Sequence, residues 1–168
     1  MIIRPLTPQD APAYVVIRRE GLEQEPFSFA SSPEDDRSRS VEWVQARLGE
    51  RNQAIIGAFG PGLVGVVGVF REETVKARHK AHIWGMFVRA EGRGKGLGRK
   101  LMEAALDWAR NQDGVSHVHL VTSPRTPVAK ALYQSLGFQT WGVEPDALCV
   151  NGELVSDEHM VLVLTPNE

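Results

Sequence analysis

Apolar positions recur along this chain at two spacings, and each change of spacing marks a predicted change of element. Ile2 and Ile3 open a short extended run that stops at Pro5. Thr7-Pro8-Gln9-Asp10 then has the layout of a helix start, with Thr7 as N-cap, Pro8 first in the helix and Asp10 in the first turn. Ala11, Tyr14, Val15 and Leu22 share one side, which predicts a helix to about Gly21. Ser40 predicts the cap of a second helix carrying Val41, Val44 and Leu48 and closed by Gly49. Gln53 to Phe59 and Leu63 to Phe70 are β-rich runs joined by the hairpin signature Gly60-Pro61-Gly62, and Ala81 to Val88 is a further strand.

Helical spacing returns at Leu97, Leu101, Ala105 and Trp108, and Gly114 closes that region. Ser116 to Thr122 alternates Val118 and Leu120 with His117 and His119, a strand whose histidine face is expected to be exposed and polar. Pro124 to Pro127 turns the chain into a helix from Val128 to Leu136, with Ala129, Leu132, Tyr133 and Leu136 on one face and Gly137 as its stop. Phe138 to Val143 and Ala147 to Val150 read as two strands, and Asn151-Gly152 is a tight-turn dipeptide before a last strand, Glu153 to Leu164. This order predicts an α/β (α+β) fold: a single mixed sheet of about seven strands with about four helices packed on its faces.

One stretch breaks the pattern. Glu23 to Ser40 has neither period, yet Phe27 and Phe29 need cover, so a partly ordered lid is expected. Its acids, Glu23, Glu25, Glu34, Asp35 and Asp36, could attract a cationic ligand, but Arg37 and Arg39 alongside favour a solvated mixed-charge loop.

Composition adds bounds. At 168 residues the chain is expected to form one domain spanning residues 1–168. A net charge of −2 gives no global reason to expect nucleic acid as a partner. No apolar run reaches membrane-spanning length, and Met1-Ile2-Ile3-Arg4-Pro5 lacks a signal-peptide layout, so a cytoplasmic protein without a membrane partner is expected. Cys149, the single cysteine, forms no internal disulfide and is expected to be a buried structural thiol. No metal site is expected, because none of the five histidines shows a ligand spacing with accompanying carboxylates.

The chemistry concentrates where the third β-rich run hands over to a helix, at Arg89-Ala90-Glu91-Gly92-Arg93-Gly94-Lys95-Gly96-Leu97-Gly98-Arg99-Lys100. A helix N-terminus offers unpaired N–H groups and a positive dipole end, and glycines let a ligand approach the backbone. With Arg93, Lys95, Arg99 and Lys100 added, this is an anion site suited to a pyrophosphate. It is not a Walker loop, because Gly94-Lys95 is followed by Gly96, and neither register of Gly-x-Gly-x-x-Gly fits.

The spacing Arg93-x-x-Gly96-x-Gly98 resembles the acetyl-coenzyme A loop of the Gcn5-related N-acetyltransferase (GNAT) family. Ala129-Lys130-Ala131-Leu132-Tyr133-Gln134-Ser135-Leu136-Gly137-Phe138 resembles that family's second signature, in the right order and with a strand between the two. The resemblance covers nearly the whole chain and implies a mostly antiparallel sheet. It also implies acetyl-CoA as co-substrate, an amine acceptor, and Tyr133 as general acid toward the departing thiolate. Carried over position by position, it assigns cofactor contacts to Met86, Phe87 and Val88 on the strand edge, to Arg93, Gly94, Lys95, Gly96, Leu97, Gly98 and Arg99 in the loop, and to Thr126, where many relatives carry asparagine. Gly85 would mark where the strand opens for the ligand. His82 is the candidate base on that strand, with Glu158 and His159 behind it. The acceptor is expected to be a small-molecule amine; a protein or peptide amine, or acyl-CoA sensing without turnover, are the alternatives. C-terminal edge strands leave a homodimer open.

Overall fold

A computed structural model describes residues 1–165. The chain runs β1 (Ile2–Pro5), α1 (Ala11–Gln24), α2 (Val41–Leu48), β2 (Gln53–Phe59), β3 (Leu63–Arg71), β4 (Lys80–Val88), α3 (Leu97–Arg110), β5 (His117–Thr122), α4 (Pro127–Ser135), β6 (Gln139–Val150) and β7 (Glu153–Val163). The strands form one seven-stranded sheet in the order β1-β2-β3-β4-β5-β7-β6, and only the β4–β5 pairing is parallel. The mixed, mostly antiparallel sheet with four helices matches the expected fold.

Both faces of the sheet are covered, which explains the unbroken apolar runs of β2 and β3. Ile56, Val67 and Val69 join Leu101, Met102 and Ala105 of α3 on one face, while Ile55 and Val66 join Tyr14, Ile17 and Val44 of α1 and α2 on the other. Neighbours in sequence therefore serve opposite cores, as the two-residue period of a strand demands.

Several boundaries differ from expectation, each for a local reason. Thr7 does precede a helical start, but Pro8–Asp10 is a 3-10 turn, and the α-helix that follows runs on to Gln24 rather than ending near Gly21. The runs expected as two strands, Phe138 to Val143 and Ala147 to Val150, are one strand that begins at Gln139. β6 absorbs Pro145-Asp146 as an irregularity between Glu144 and Leu148, with Asp146 at φ +52°. Cys149 is exposed rather than buried, because β6 is the outermost strand of the sheet. The buried face of α3 is broader than Leu97, Leu101, Ala105 and Trp108: it includes Met102, Leu106 and Ala109, whereas Trp108 is only half-buried.

Candidate active site

The site begins where the sheet splits. β4 and β5 pair only from Lys80 to His82, opposite His117 to His119, and among the described residues nothing joins β5 to β4 beyond that. Gly85 causes part of the divergence. It takes φ +64°, a conformation costly for any other residue, at the point where the β3–β4 register shifts between Val66 and Gly68. The edge of β4 from Met86 to Val88 is thus turned away from β5.

Beyond Val88 the glycine loop folds back over the same opening. Gly94 and Gly96 lie at φ +72° and +71°, and a Cβ on either would meet nothing within 4 Å, so their backbones are bare toward solvent. Gly96 is the N-cap of α3 and has no side chain to occupy the helix's free N–H groups. Gly98 serves packing instead: its missing Cβ would stand 3.3 Å from Leu132, which lets α3 and α4 approach closely. An anion-accepting helix terminus is therefore built by backbone.

The loop cations divide by role. Arg93 donates from Nε to the Val88 carbonyl at 2.9 Å and from Nη2 to Glu25 Oε1 at 3.0 Å. Arg99 donates to Ser135 Oγ at 2.6 Å and lies 3.7 Å from Glu103. Lys95 and Lys100 have no ion pair among the described residues.

A groove of about 660 Å³ runs between these elements, walled by Met86 to Val88 and the loop on one side and by Arg125 to Ala129 on the other. Met86, Phe87, Val88, Arg93, Gly94, Gly96, Leu97, Gly98, Arg99 and Thr126 all border it, whereas the exposed Lys95 side chain does not. Thr126 is the N-cap of α4, but its hydroxyl donates to the Ser123 carbonyl at 2.9 Å and does not cap the helix. Arg125 and Val128 were not anticipated as groove residues. Arg125 is held over the Phe27 ring, 4.6 Å from its centroid, and pairs with Glu153.

A narrow cleft of about 70 Å³, lined by Trp84, Gly85, Met86, Thr122, Thr126 and Tyr133, lies where β4 and β5 part. Tyr133 is nearly buried, and its hydroxyl has no hydrogen-bond partner among the described residues. Burial pushes its pKa up to about 12, so the phenol keeps its proton throughout the neutral range.

Gly85 also borders an inner cavity of about 620 Å³. The expected lid supplies one wall through Phe27 to Ser31, and Trp84, His119, Trp141 and His159 supply others. Phe29 is buried, as an aromatic seeking cover should be. His82 lies in this cavity, not in the cleft beside Tyr133. Its Nε2 is 2.9 Å from Glu72 Oε1 but out of line for a good donor, and its ring stacks on Phe70 and His119 at 4.9 and 5.5 Å. Burial lowers the His82 pKa, and Glu72 only partly opposes that. His117 and His119 are half-buried rather than an exposed polar face. Glu158 is committed to Lys130 at 2.8 Å, and His159 lies 3.3 Å from Glu144.

Three of the five lid acids are likewise committed. Glu23 pairs with Arg19, Glu25 with Arg93, and Asp36 with Arg18 in a buried bridge at 2.7 Å. Arg18 escaped the sequence reading, although Tyr14, Arg18 and Leu22 follow one another at helical spacing on the same apolar side. A charge in that row is the signal that would have found it.

Comparison with known proteins agrees with this architecture. The family model for the acetyltransferase (GNAT) family matches residues 17–138, and the chain belongs to that family. Rat N-acetyltransferase family 8 member 3 is 38% identical over 81 residues, covering 48% of this chain and 35% of the relative, so the chain spans little more than a third of that protein's length. Among solved structures, a GNAT-family acetyltransferase from Streptococcus pneumoniae superimposes with a TM-score of 0.84 at 23% identity, covering 97% of this chain and 99% of its own. The protein yncA of Salmonella typhimurium, solved with its cofactor acetyl-CoA, superimposes with a TM-score of 0.82 at 22% identity, covering 100% and 95%. Among the described residues no helix is long and apolar enough to cross a membrane, and no group of three or more His, Cys, Asp or Glu residues could hold a metal ion.

Proposed function

We propose that this chain is an acetyl-CoA-dependent N-acetyltransferase acting on a small-molecule amine. The observation that carries the reading is the cleft at the parting of β4 and β5. There the cleft that Tyr133 lines shares Met86 and Thr126 with the groove beside a helix N-terminus, and Trp84 and Gly85 with the inner cavity.

The groove fits the co-substrate. Free N–H groups at Gly96 to Gly98, with two left-handed glycines bare toward solvent, suit a diphosphate. The unpaired β4 edge at Met86 to Val88 suits the amides of a pantetheine arm, since backbone pairing of this kind asks little of side chains. Acetyl-CoA, when bound, supplies the acetyl group as a thioester.

The chain's own groups then have three tasks. Backbone N–H groups of β4 near Gly85 stabilise negative charge on the carbonyl oxygen as the amine attacks. Tyr133 donates its phenolic proton to the departing sulfur, a transfer for which its raised pKa keeps the proton available. His82, held neutral near pH 7 by burial, accepts the amine's surplus proton from within the inner cavity, through water. An alkyl amine has a pKa around 10 and must lose that proton before it attacks.

The lid favours a small acceptor, because Phe27 to Ser31 form one wall of the cavity and limit its width. Incubation with acetyl-CoA and separate panels of small amines and peptides, with free thiol followed over time, tests the reading. Thiol release with small amines supports it; release with peptides alone overturns the acceptor assignment; tight CoA binding without release in either panel makes the chain a sensor.

A further inference from the structure

Arg18 is a side chain that its surroundings only half satisfy. It is nine-tenths buried, on the inner side of α1. Asp36 grips the side of its guanidinium, 2.9 Å from Nε and 2.7 Å from Nη2. Nη1 is buried and has no hydrogen-bond partner among the described residues. A buried, unpaired donor is costly, and more so on a charged group.

The orphan is aimed. A Cβ on Gly85 would stand 3.2 Å from Nη1, so this nitrogen faces the bend in β4 that borders both the Tyr133 cleft and the inner cavity. The rings of Phe29 and Trp84 lie over the guanidinium at 5.0 and 5.5 Å and fix its plane. With Asp36 on its side, the end of the fork is what remains for a ligand, and that end matches a carboxylate.

From this geometry we infer that Arg18 binds a carboxylate of the acceptor, and that the acceptor is an amino acid whose amine and carboxylate stand close together. The inference rests on the acetyltransferase reading above and adds the chemical class of the second substrate. Proximity sets the class: Arg18 and Tyr133 meet the same short stretch of β4, so the group held by one must be near the group attacked beside the other. Charge agrees. Asp36 balances Arg18, and the other formally charged groups lining the cavity are Lys80 and Asp157, one of each sign. A near-neutral pocket suits a zwitterion and offers no excess of anions to a polyamine. The aromatic walls, Phe27, Phe70 and Trp141 among them, favour an apolar side chain.

The test needs no mutation at first. Wild-type protein is assayed with acetyl-CoA and L-phenylalanine, L-leucine and L-methionine, each against its amide and its decarboxylated amine. The free amino acids should lead in kcat/KM by roughly 10- to 100-fold, the range for one hydrogen bond to a charged group. Amides carry the less basic amine and would lead if only deprotonation mattered, so the comparison is weighted against the inference. Arg18→Lys keeps a cation beside Asp36 but removes the fork; it should raise KM for the amino acids by a larger factor than for the decarboxylated amines. Should that variant fail to fold, the wild-type series still decides. Equal turnover of acids, amides and simple amines overturns the role of Arg18 while leaving the acetyltransferase standing. No thiol release with any amine, despite CoA binding, overturns the acetyltransferase reading itself and this inference with it.

Discussion

The guanidinium of Arg93 donates from Nε to the main-chain carbonyl of Val88, 2.9 Å away, and so closes the glycine loop back onto the strand that leads into it. Its Nη2 reaches Glu25 at the end of α1, across 68 residues of sequence. Arg93 is therefore a strut whose charge is already shared, and among the described residues the loop cations without an ion pair are Lys95 and Lys100.

This arrangement separates two effects that a phosphate-binding arginine would combine. Arg93→Ala should speed amide hydrogen exchange across residues 92–97 and weaken coenzyme A binding about tenfold, and Glu25→Gln should reproduce part of both changes. Lys95→Ala should leave exchange unchanged and cost a smaller, salt-sensitive share of affinity. Calorimetry at two salt concentrations with exchange mass spectrometry reads both. Unaltered exchange in the Arg93 variant would mean that the strut bears no weight.

Tyr133 yields a prediction of opposite kind, on rate rather than binding. Tyr133→Phe keeps the ring that packs edge-on against Phe138 and removes only the hydroxyl, so coenzyme A affinity should hold while kcat falls roughly 100-fold. Because burial raises the phenol's pKa to about 12, the acid stays protonated through the ordinary assay range. The wild-type rate should then climb with pH as the amine deprotonates, with no downturn before about pH 10. A downturn near pH 8 would point to another acid.

His82 can be tested through its neighbour. Burial lowers its pKa and Glu72 pulls it back up, so Glu72→Gln should let it fall further. The neutral, proton-accepting form would then persist to more acidic pH, and the acidic limb of kcat/KM should move to lower pH. His82→Gln should remove that limb and cost about tenfold at pH 7, with a smaller loss at pH 9, where more of the amine is already free. An acidic limb that ignores both substitutions excludes His82.

Local pattern made the strands, the glycine loop and the Tyr133 helix legible, because each depends on neighbours in sequence. Partnerships across the fold were not legible. The Arg93–Glu25 and Arg18–Asp36 pairs join the lid or its approach to distant elements, and no local spacing announces them. The histidine row on β5 shows the same limit: alternation put His117 and His119 on one face, but the expected exposure failed because His119 stacks on His82 across the parallel pair and lines the inner cavity. Pro145-Asp146 misled for the reverse reason. It has the composition of a break, yet β7 pairs with both sides of it, across a shift of register, and so keeps them on one strand.

Two buried tyrosines set a limit at the alkaline end. Tyr14 and Tyr133 are 2% and 9% exposed, and burial pushes each pKa to about 12 from the usual value near 10. In the unfolded chain both phenols ionise near pH 10, while in the folded chain they hold their protons about two pH units longer. Between those values the unfolded state binds fewer protons, so stability must fall as pH rises. Each phenol contributes a loss of roughly 2–3 kcal/mol across the window, a large part of a typical domain's margin. Below pH 10 neither titrates, and neither adds any pH dependence there. Denaturant melts from pH 8 to pH 11.5 should thus show a plateau followed by a decline, shallower in Tyr133→Phe and in Tyr14→Phe and shallowest in the double variant. Equal slopes in all four proteins would show that both phenols ionise in the folded chain as readily as in water, and Tyr133 would then lack the protected proton its role requires.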